Sequence, residues 1–387
     1  MWPMPINATA GPSSDAGADD GGLTYAEGPP GALTMFRVEP QHRGRVPYAL
    51  PLQAPKVVWK YSTGAPITSS PAIGSDGTLI VGGHDRMVHV VEPNGALRWK
   101  QATGDVIFGS AAVDLQGNVL IGSGDDHLYK LDAARKRLAW RVKLGNCRAT
   151  TGMGPEASRC DVDGGPTIGP DGTIYVGGAG VFALAPTGRI LWQFFTPRRI
   201  PTAPALHPAG FILAAGHDDT IFAVSTTGQK LWDFRAADDI ESSPMVADDG
   251  TIYFGADDQK IYALSPTGIL LWSFITGDDV RATPALGRNG QILVGGFDGL
   301  FYALAPDGTL QWSFRAADRI LSSALVDVRG AILFGAQDDR LYALEPDGTL
   351  RWSVELGGDI DSSPTLGPDG TIYVSCDDKN LYALRGE

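Results

Sequence analysis

Eight tryptophans at positions 59, 99, 140, 192, 232, 272, 312 and 352 divide this chain, with successive spacings of 40, 41, 52, 40, 40, 40 and 40. A fixed period near 40 residues points to a solenoid or a propeller, because such a unit is one supersecondary motif that buries its apolar face only against its neighbours. The unit at Trp232 reads WDFRAADDIESSPMVADDGTIYFGADDQKIYALSPTG and returns at Trp272 as WSFITGDDVRATPALGRNGQILVGGFDGLFYALAPDG. Each unit holds four short strand signals separated by turn signals.

The first signal is a run of small residues with a proline, as at Ser70-Pro71 and Ser363-Pro364. Proline lacks a ladder donor and suits a strand with one unpaired side, and Ser and Ala suit a crowded axis, so this is the innermost strand. Asp-Gly at 76–77, 171–172, 249–250 and 369–370 and Asn-Gly at 289–290 mark a tight turn into strand two. Strand two (TIYFGA, QILVGG) is an almost continuous apolar run, as expected where both sheet faces are covered. Strand three is the IYALSP type, and strand four ends in the repeat tryptophan. Gly-x-x-x-Trp recurs at Gly95, Gly188, Gly228, Gly268, Gly308 and Gly348, so the indole is expected to fill the gap between adjacent sheets as core and not to form a ligand cage.

Sets of strands one to three fall near 71–91, 111–132, 165–184, 204–224, 244–264, 284–304, 324–344 and 364–384. The last ends at Leu384 with no tryptophan after it, and Trp59 has no set before it. The segment VVWKY should therefore complete the C-terminal sheet and remove the free edges of the ring. The expected fold is all-β: an eight-bladed propeller of four-stranded antiparallel blades over 56–387, closed by an N-terminal strand. An extended lead-in (35–55) and a flexible tail (1–34) precede it. The tail is rich in Ala, Gly, Pro, Ser and Asp, too poor in apolar area to offset ordering entropy. It lacks the basic and apolar regions of a signal peptide, which leaves two readings: a cytoplasmic protein, or a numbering that starts after a removed export signal.

On these motifs the chain resembles the PQQ-like repeat family, whose pattern stands here as SSPTLGPDGTIYVSCDDKNLYAL and GTLQW over about 55–387. The resemblance implies one of two functional kinds: quinoprotein alcohol dehydrogenases, which hold pyrroloquinoline quinone and calcium on the axis, or binding propellers such as the lipoprotein subunit of the outer-membrane barrel-assembly machinery. The dehydrogenases carry adjacent cysteines over the quinone and long insertions. Here no two cysteines are adjacent and six of the seven tryptophan spacings leave no room for an insertion, so no quinone or calcium residue is assigned and no cofactor is expected. The implied reading is a non-catalytic binding or scaffolding propeller of the bacterial envelope, periplasmic, outer-membrane-associated or secreted, with a protein, peptide or polymer partner. The alternatives are a quinoprotein-like or lyase-type enzyme, or a purely structural subunit.

A net charge of −13 and a pI near 4.9 oppose attraction to phosphate backbones, and no run of about 18 apolar residues exists to span a membrane. No Ser-His-Asp, His-Glu-x-x-His or phosphate-loop pattern is present, and the six histidines show no ligand spacing. In a propeller, the loops from strand four to the next strand one, and from strand two to strand three, share one face. The second type is acidic in seven repeats, including Asp85, Asp125, Asp258, Asp298 and Asp378, which reads first as turn capping by the carboxylate itself. The first type varies most between copies. Candidate binding residues there are Phe108, Arg148, Arg159, Arg198, Arg199, Asp239, Glu241, Asp279, Arg281, Arg319 and Asp361. The one insertion, between Trp140 and Trp192, carries Cys147 and Cys160; paired, they would rigidify the loop and imply an oxidising compartment, and unpaired they are two free thiols.

Overall fold

The computed structural model describes residues 35–145 and 161–386, in which 32 strands form eight four-stranded antiparallel sheets and no helix occurs. Blade 5 serves as the type: Met245–Val246 is innermost, then Ile252–Ala256, Lys260–Leu264 and Leu270–Ile275 at the rim. Blades 1 to 7 follow the same order over 72–102, 112–143, 167–194, 205–235, 245–275, 285–315 and 325–355. In blade 8, Thr365–Leu366, Ile372–Ser375 and Asn380–Arg385 are completed by Lys56–Ser62. The register there runs Val57 to Leu384, Trp59 to Ala383 and Tyr61 to Leu381, so the ring closes by the seam that the tryptophan count requires.

Strands two and three are buried along almost their whole length because each blade is covered on both faces, whereas strand four alternates between exposed and half-buried residues. Each apolar cluster draws on adjacent blades. One joins Leu213 and Ala223 of blade 4 to Phe254 and Tyr262 of blade 5; another joins Phe301 of blade 6 to Phe334 and Tyr342 of blade 7. A blade therefore has no core of its own.

The tryptophans act at these contacts, but as half-buried wedges; among the eight only Trp352 is fully buried. Six of the indoles, of Trp59, Trp140, Trp192, Trp232, Trp272 and Trp312, lie against the glycine of the next blade's strand three to strand four turn and donate Nε1–H to a carbonyl there, as from Trp272 to Pro306 (2.8 Å) and Trp312 to Pro346 (3.1 Å), whereas Trp99 faces a turn without glycine and its Nε1 has no partner. Trp352 makes the equivalent bond to Pro51 (2.9 Å), so the N-terminal segment stands in for the missing turn.

The two residues before the repeat proline, or before the alanine that stands in its place at 111 and 324, tie the axis together. The first hydroxyl bridges strand one to strand two within a blade: Ser69 Oγ donates to Gly82 O (2.8 Å) and accepts from Gly82 N (2.9 Å), and Ser362 does the same with Ser375. The second accepts a backbone amide from the preceding blade, 40 residues away, as at Ser110 from Ser70 N, Ser323 from Thr283 N and Ser363 from Ser323 N. Ser70 accepts from Ser363 N (2.9 Å) and carries the chain of bonds across the seam.

Residues 35–51 occupy the axis. The carbonyls of Pro40, Gln41, Arg43 and Gly44 accept, in turn, the amides of Leu206, Val246, Leu286 and Val326 on the innermost strands of blades 4 to 7, each at 2.8–2.9 Å. His42 is fully buried, with Nδ1 3.0 Å from Pro244 O, and burial drives its pKa down to about 3, so it is neutral. Arg37 is buried beside Ala324 O, its pKa lowered to about 9 by burial, next to a void of about 30 Å³ that suffices for a single water. The segment leaves the axis over blade 7, where Val328 N donates to Tyr48 O and Leu50 N to Asp327.

In the Asp-Gly turns only the glycine takes a positive φ; Asp76, Asp171, Asp249 and Asp369 instead accept the amide two residues on. Gly308 and Gly370 both have positive φ (85° and 78°). A Cβ at Gly308 would sit 2.6 Å from the Trp272 indole, whereas one at Gly370 meets nothing within 4 Å. Gly308→Ala should therefore lower the urea midpoint by an amount equivalent to about 2–3 kcal/mol, and Gly370→Ala by only about 1 kcal/mol of backbone strain. Equal shifts would mean that the indole–glycine contact does not hold neighbouring blades together.

Candidate functional site: the axial recess

Between each tryptophan and the next innermost strand, three residues take different environments. The eighth residue after the tryptophan is aliphatic and completely buried in every blade: Ile67, Ile107, Ile200, Ile240, Val280, Ile320 and Ile360, with Val162 as the counterpart in blade 3. It packs over a strand-two glycine of the preceding blade, such as Gly295 beneath Ile320. This anchor turns the ninth residue to the axis. Thr68, Phe108, Pro201, Glu241, Arg281, Leu321 and Asp361, with Asp163 as the blade 3 counterpart, all line one recess of about 290 Å³. Its lower wall is the small-residue ring Ser70, Ser110, Gly165, Ala203, Ser243, Thr283, Ser323 and Ser363, and Phe36 of the axial segment also lines it. The repeats thus agree in their strands and diverge at the eight positions that face this space.

The strand two to strand three loops supply a second tier. Their backbones are fixed by bonds such as Phe297 N to Asp279 O and Gln337 N to Arg319 O, each 2.9 Å. On one side the side chains form a continuous charged chain. Arg199 bonds Asp163 (2.7 Å) and lies 3.4 Å from His217 Nδ1. His217 Nε2 is 3.1 Å from Glu241. Arg281 then bonds Glu241 (3.1 Å) and both oxygens of Asp257 (3.1 and 2.8 Å), with Asp279 at 3.4 Å. The guanidinium of Arg281 lies 5.1 Å from the Phe297 ring centroid and that of Arg319 lies 5.2 Å from it. On the other side Phe108, 40 % exposed, meets the His84 ring edge-on at 4.9 Å, His84 Nε2 is 3.1 Å from Thr68 Oγ1, and Asp361 accepts from Gln337 Nε2 (2.9 Å).

Of the residues expected from sequence, Phe108, Glu241, Arg281 and Asp361 line the recess, Arg199 and Asp279 join the charged chain behind it, and Arg319 covers Phe297. Asp239 lies 3.9 Å from His217, and Arg198 is exposed. Arg148, Arg159, Cys147 and Cys160 lie outside the described residues. Cys376 is a buried thiol bonded to Gly358 O, its pKa pushed up to about 12 by burial. Sequence reasoning missed Asp163, Phe297 and Gln337, and read Asp257 first as a turn-capping loop carboxylate and His217 as a loop histidine without ligand spacing. His217, Asp257, Phe297 and Gln337 share a clean 40-residue spacing that would have placed them together.

The acidic loops are mainly structural. Asp125, Asp298 and Asp338 each accept the amide two residues on, a tyrosine hydroxyl of strand three, and an amide from the incoming strand-four loop, as at Gly104 and Gly277. Among the described residues one carboxylate trio, Asp219, Asp238 and Asp239, has oxygens within 4.8 Å of one another, and Asp219 is already ion-paired with Arg235 (2.8 Å).

A family profile described as "Outer membrane protein assembly factor BamB" matches residues 42–158, 177–303, 217–333 and 298–387. No curated protein matches the chain. Solved structures of similar shape include BamB from Moraxella catarrhalis (19 % identity, 86 % of this chain and 100 % of that one, TM-score 0.70). A europium-containing methanol dehydrogenase is also similar (14 %, 89 % and 89 %, 0.75), as is the quinohemoprotein alcohol dehydrogenase from Comamonas testosteroni (13 %, 92 % and 80 %, 0.75). At these identities the likeness is one of fold.

Burial raises the pKa of Asp163, Asp218 and Asp257 to about 6. A carboxyl whose pKa is higher folded than unfolded holds its proton more tightly in the folded state. Its stabilising contribution is therefore complete below pH about 4 and lost as pH climbs to about 6. Asp218, whose Oδ1 is buried without a partner, isolates the effect. Relative to Asp218→Asn, the parent should lose stability between pH 4 and 6.5 in urea titrations. Parallel curves would show that the side chain is not buried as described.

Proposed function

We propose that this chain, which belongs to the family described as outer membrane protein assembly factor BamB, is a binding propeller of the bacterial envelope that engages a protein partner through the face carrying the axial recess. The observation that carries this reading is the placement of diversity. Eight repeats retain the same turns, serines and indoles, yet the equivalent recess positions hold Thr, Phe, Asp, Pro, Glu, Arg, Leu and Asp. A scaffold that only filled space would not need one chemically mixed ring at the mouth of its axis, and a partner that touches several blades at once would.

A quinone-dependent reaction is the competing reading, because the fold is shared with the dehydrogenases above. The lining does not fit it. Pyrroloquinoline quinone is a tricarboxylate, and the single basic side chain on the recess wall among the described residues, Arg281, is already bonded to Glu241, Asp257 and Asp279. Among the described residues no tryptophan lines the recess to stack on a planar ring, and the upper ring holds three carboxylates against one guanidinium. A polyanion would therefore be repelled.

A photo-crosslinking residue placed at Phe108 or at Leu321 should capture one protein from envelope extract, and the same residue at Asp307, on the opposite face, should not. Capture from Asp307 alone would relocate the interface. A stoichiometric, calcium-dependent absorbance change on adding the quinone would favour the enzyme instead.

A further inference from the structure

The recess contains the same recognition chemistry twice. On the blade 5 to blade 6 side, carboxylates (Glu241, Asp257) and an aromatic ring (Phe297) enclose the guanidinium of Arg281. On the other side, four consecutive blades, 8, 1, 2 and 3, present Asp361, Thr68, Phe108 and Asp163 at equivalent positions of the same ring. These are again two carboxylates flanking an aromatic face; Arg199 pairs with one oxygen of Asp163, but no described cation is recorded against the Phe108 ring or on Asp361. Asp361 is bonded to the neutral amide of Gln337. Asp163 is largely buried and uses Oδ2 on Arg199, while its Oδ1, also buried, has no hydrogen-bond partner. The other group in contact with Phe108, His84, has its pKa lowered by burial, which favours the neutral ring. Burial raises the pKa of Asp361, Asp377 and Asp359, and neighbouring charge adds to it, from Asp377 on Asp361 and from Asp359 on Asp377. Of the residues outside the described ones, 1–34 contain no Lys or Arg and 146–160 contain Arg148 and Arg159.

We propose that this half of the recess receives a cationic side chain, a lysine ammonium or an arginine guanidinium, from a loop of the partner protein. The cation sits over the Phe108 face between the carboxylates of Asp361 and Asp163, reproducing on that side what Arg281 does on the other. An aromatic face and flanking carboxylates select a cation that is only weakly hydrated at one surface, through cation–π attraction added to charge-assisted hydrogen bonding. The recess volume of about 290 Å³ admits one or two side chains and excludes a folded domain, so the group must project from a loop. This deepens the reading of the face as a partner surface and rests on it.

Titration calorimetry of the full chain with an N-acetylated, C-amidated tri-lysine peptide at low salt tests the proposal. The parent should bind the peptide, and the same peptide with ε-acetylated lysines should not bind. Asp361→Asn, which keeps an acceptor for Gln337, should weaken binding about tenfold. Phe108→Leu, which alters no charge, should weaken it about fivefold. Asp307→Asn, which makes the same change in net charge on the opposite face, should alter it less than twofold. Equal effects of the Asp361 and Asp307 variants would overturn the proposal, since binding would then be general attraction to a chain of charge −13. So would absence of binding by the parent, unchanged affinity in Phe108→Leu, or a site that takes calcium chloride while ignoring the peptide. The acetylated-peptide arm needs no variant and stands even if one misfolds. Successful cross-linking at Phe108 without tri-lysine binding would remove the cation inference and leave the partner surface intact; specific tri-lysine binding without any cross-linked protein would do the reverse.

Discussion

Eight innermost strands end against one another around an axis, and each has an edge with no further strand to pair with. Backbone donors in so crowded a place are shut off from water, and each one left unpaired costs about 1–3 kcal/mol. Two devices satisfy them here. Ser110, Ser243, Ser323 and Ser363 each accept an amide from the preceding blade, and Ser70 accepts one across the seam from Ser363 N. Pro40, Gln41, Arg43 and Gly44 then offer one carbonyl each to blades 4 to 7. The residue types at the axis follow from this. Small hydroxyl side chains both fit the convergence and accept the amides, Thr202 doing for Ala215 N what Ser69 does for Gly82 N.

Closing the axis from one side makes the other side a recess and not a pore. The loops reaching that recess are positioned by an alternation set by packing. An aliphatic residue, from Ile67 to Ile360, is locked between blades, and its successor is free to vary because it faces open space. Mutations at the successor cost little stability, so duplicated blades could diverge there while the interblade contacts stayed fixed. The charged chain Asp163–Arg199–His217–Glu241–Arg281 then crosses four blades and fixes the orientation of half of the wall.

The ring, the number of blades and the seam at Trp59 were legible in the sequence because each rests on a short motif repeated at constant spacing: Gly-x-x-x-Trp, the serine-proline pair, the Asp-Gly turn. The variable loop positions were legible as well, since Glu241, Arg281 and Asp361 stand out only against that constancy. What was not legible depends on contacts between segments with no shared period. The bonds of residues 40–44 to amides some 160 to 280 residues away have no local signal, and neither does the pairing of Asp163 with Arg199. The half-burial of the tryptophans also escaped: one indole edge faces the blade gap and the other the rim, which a count of aromatic residues does not reveal.

The claim beneath all of this is that residues 35–51 seal the axis and thereby define the recess. Residue-resolved hydrogen exchange of the Leu206, Val246, Leu286 and Val326 amides addresses it directly. The account predicts that these four exchange only on the timescale of global unfolding. Exchange at the rates of exposed loops would contradict it, and the axis would then be an open channel.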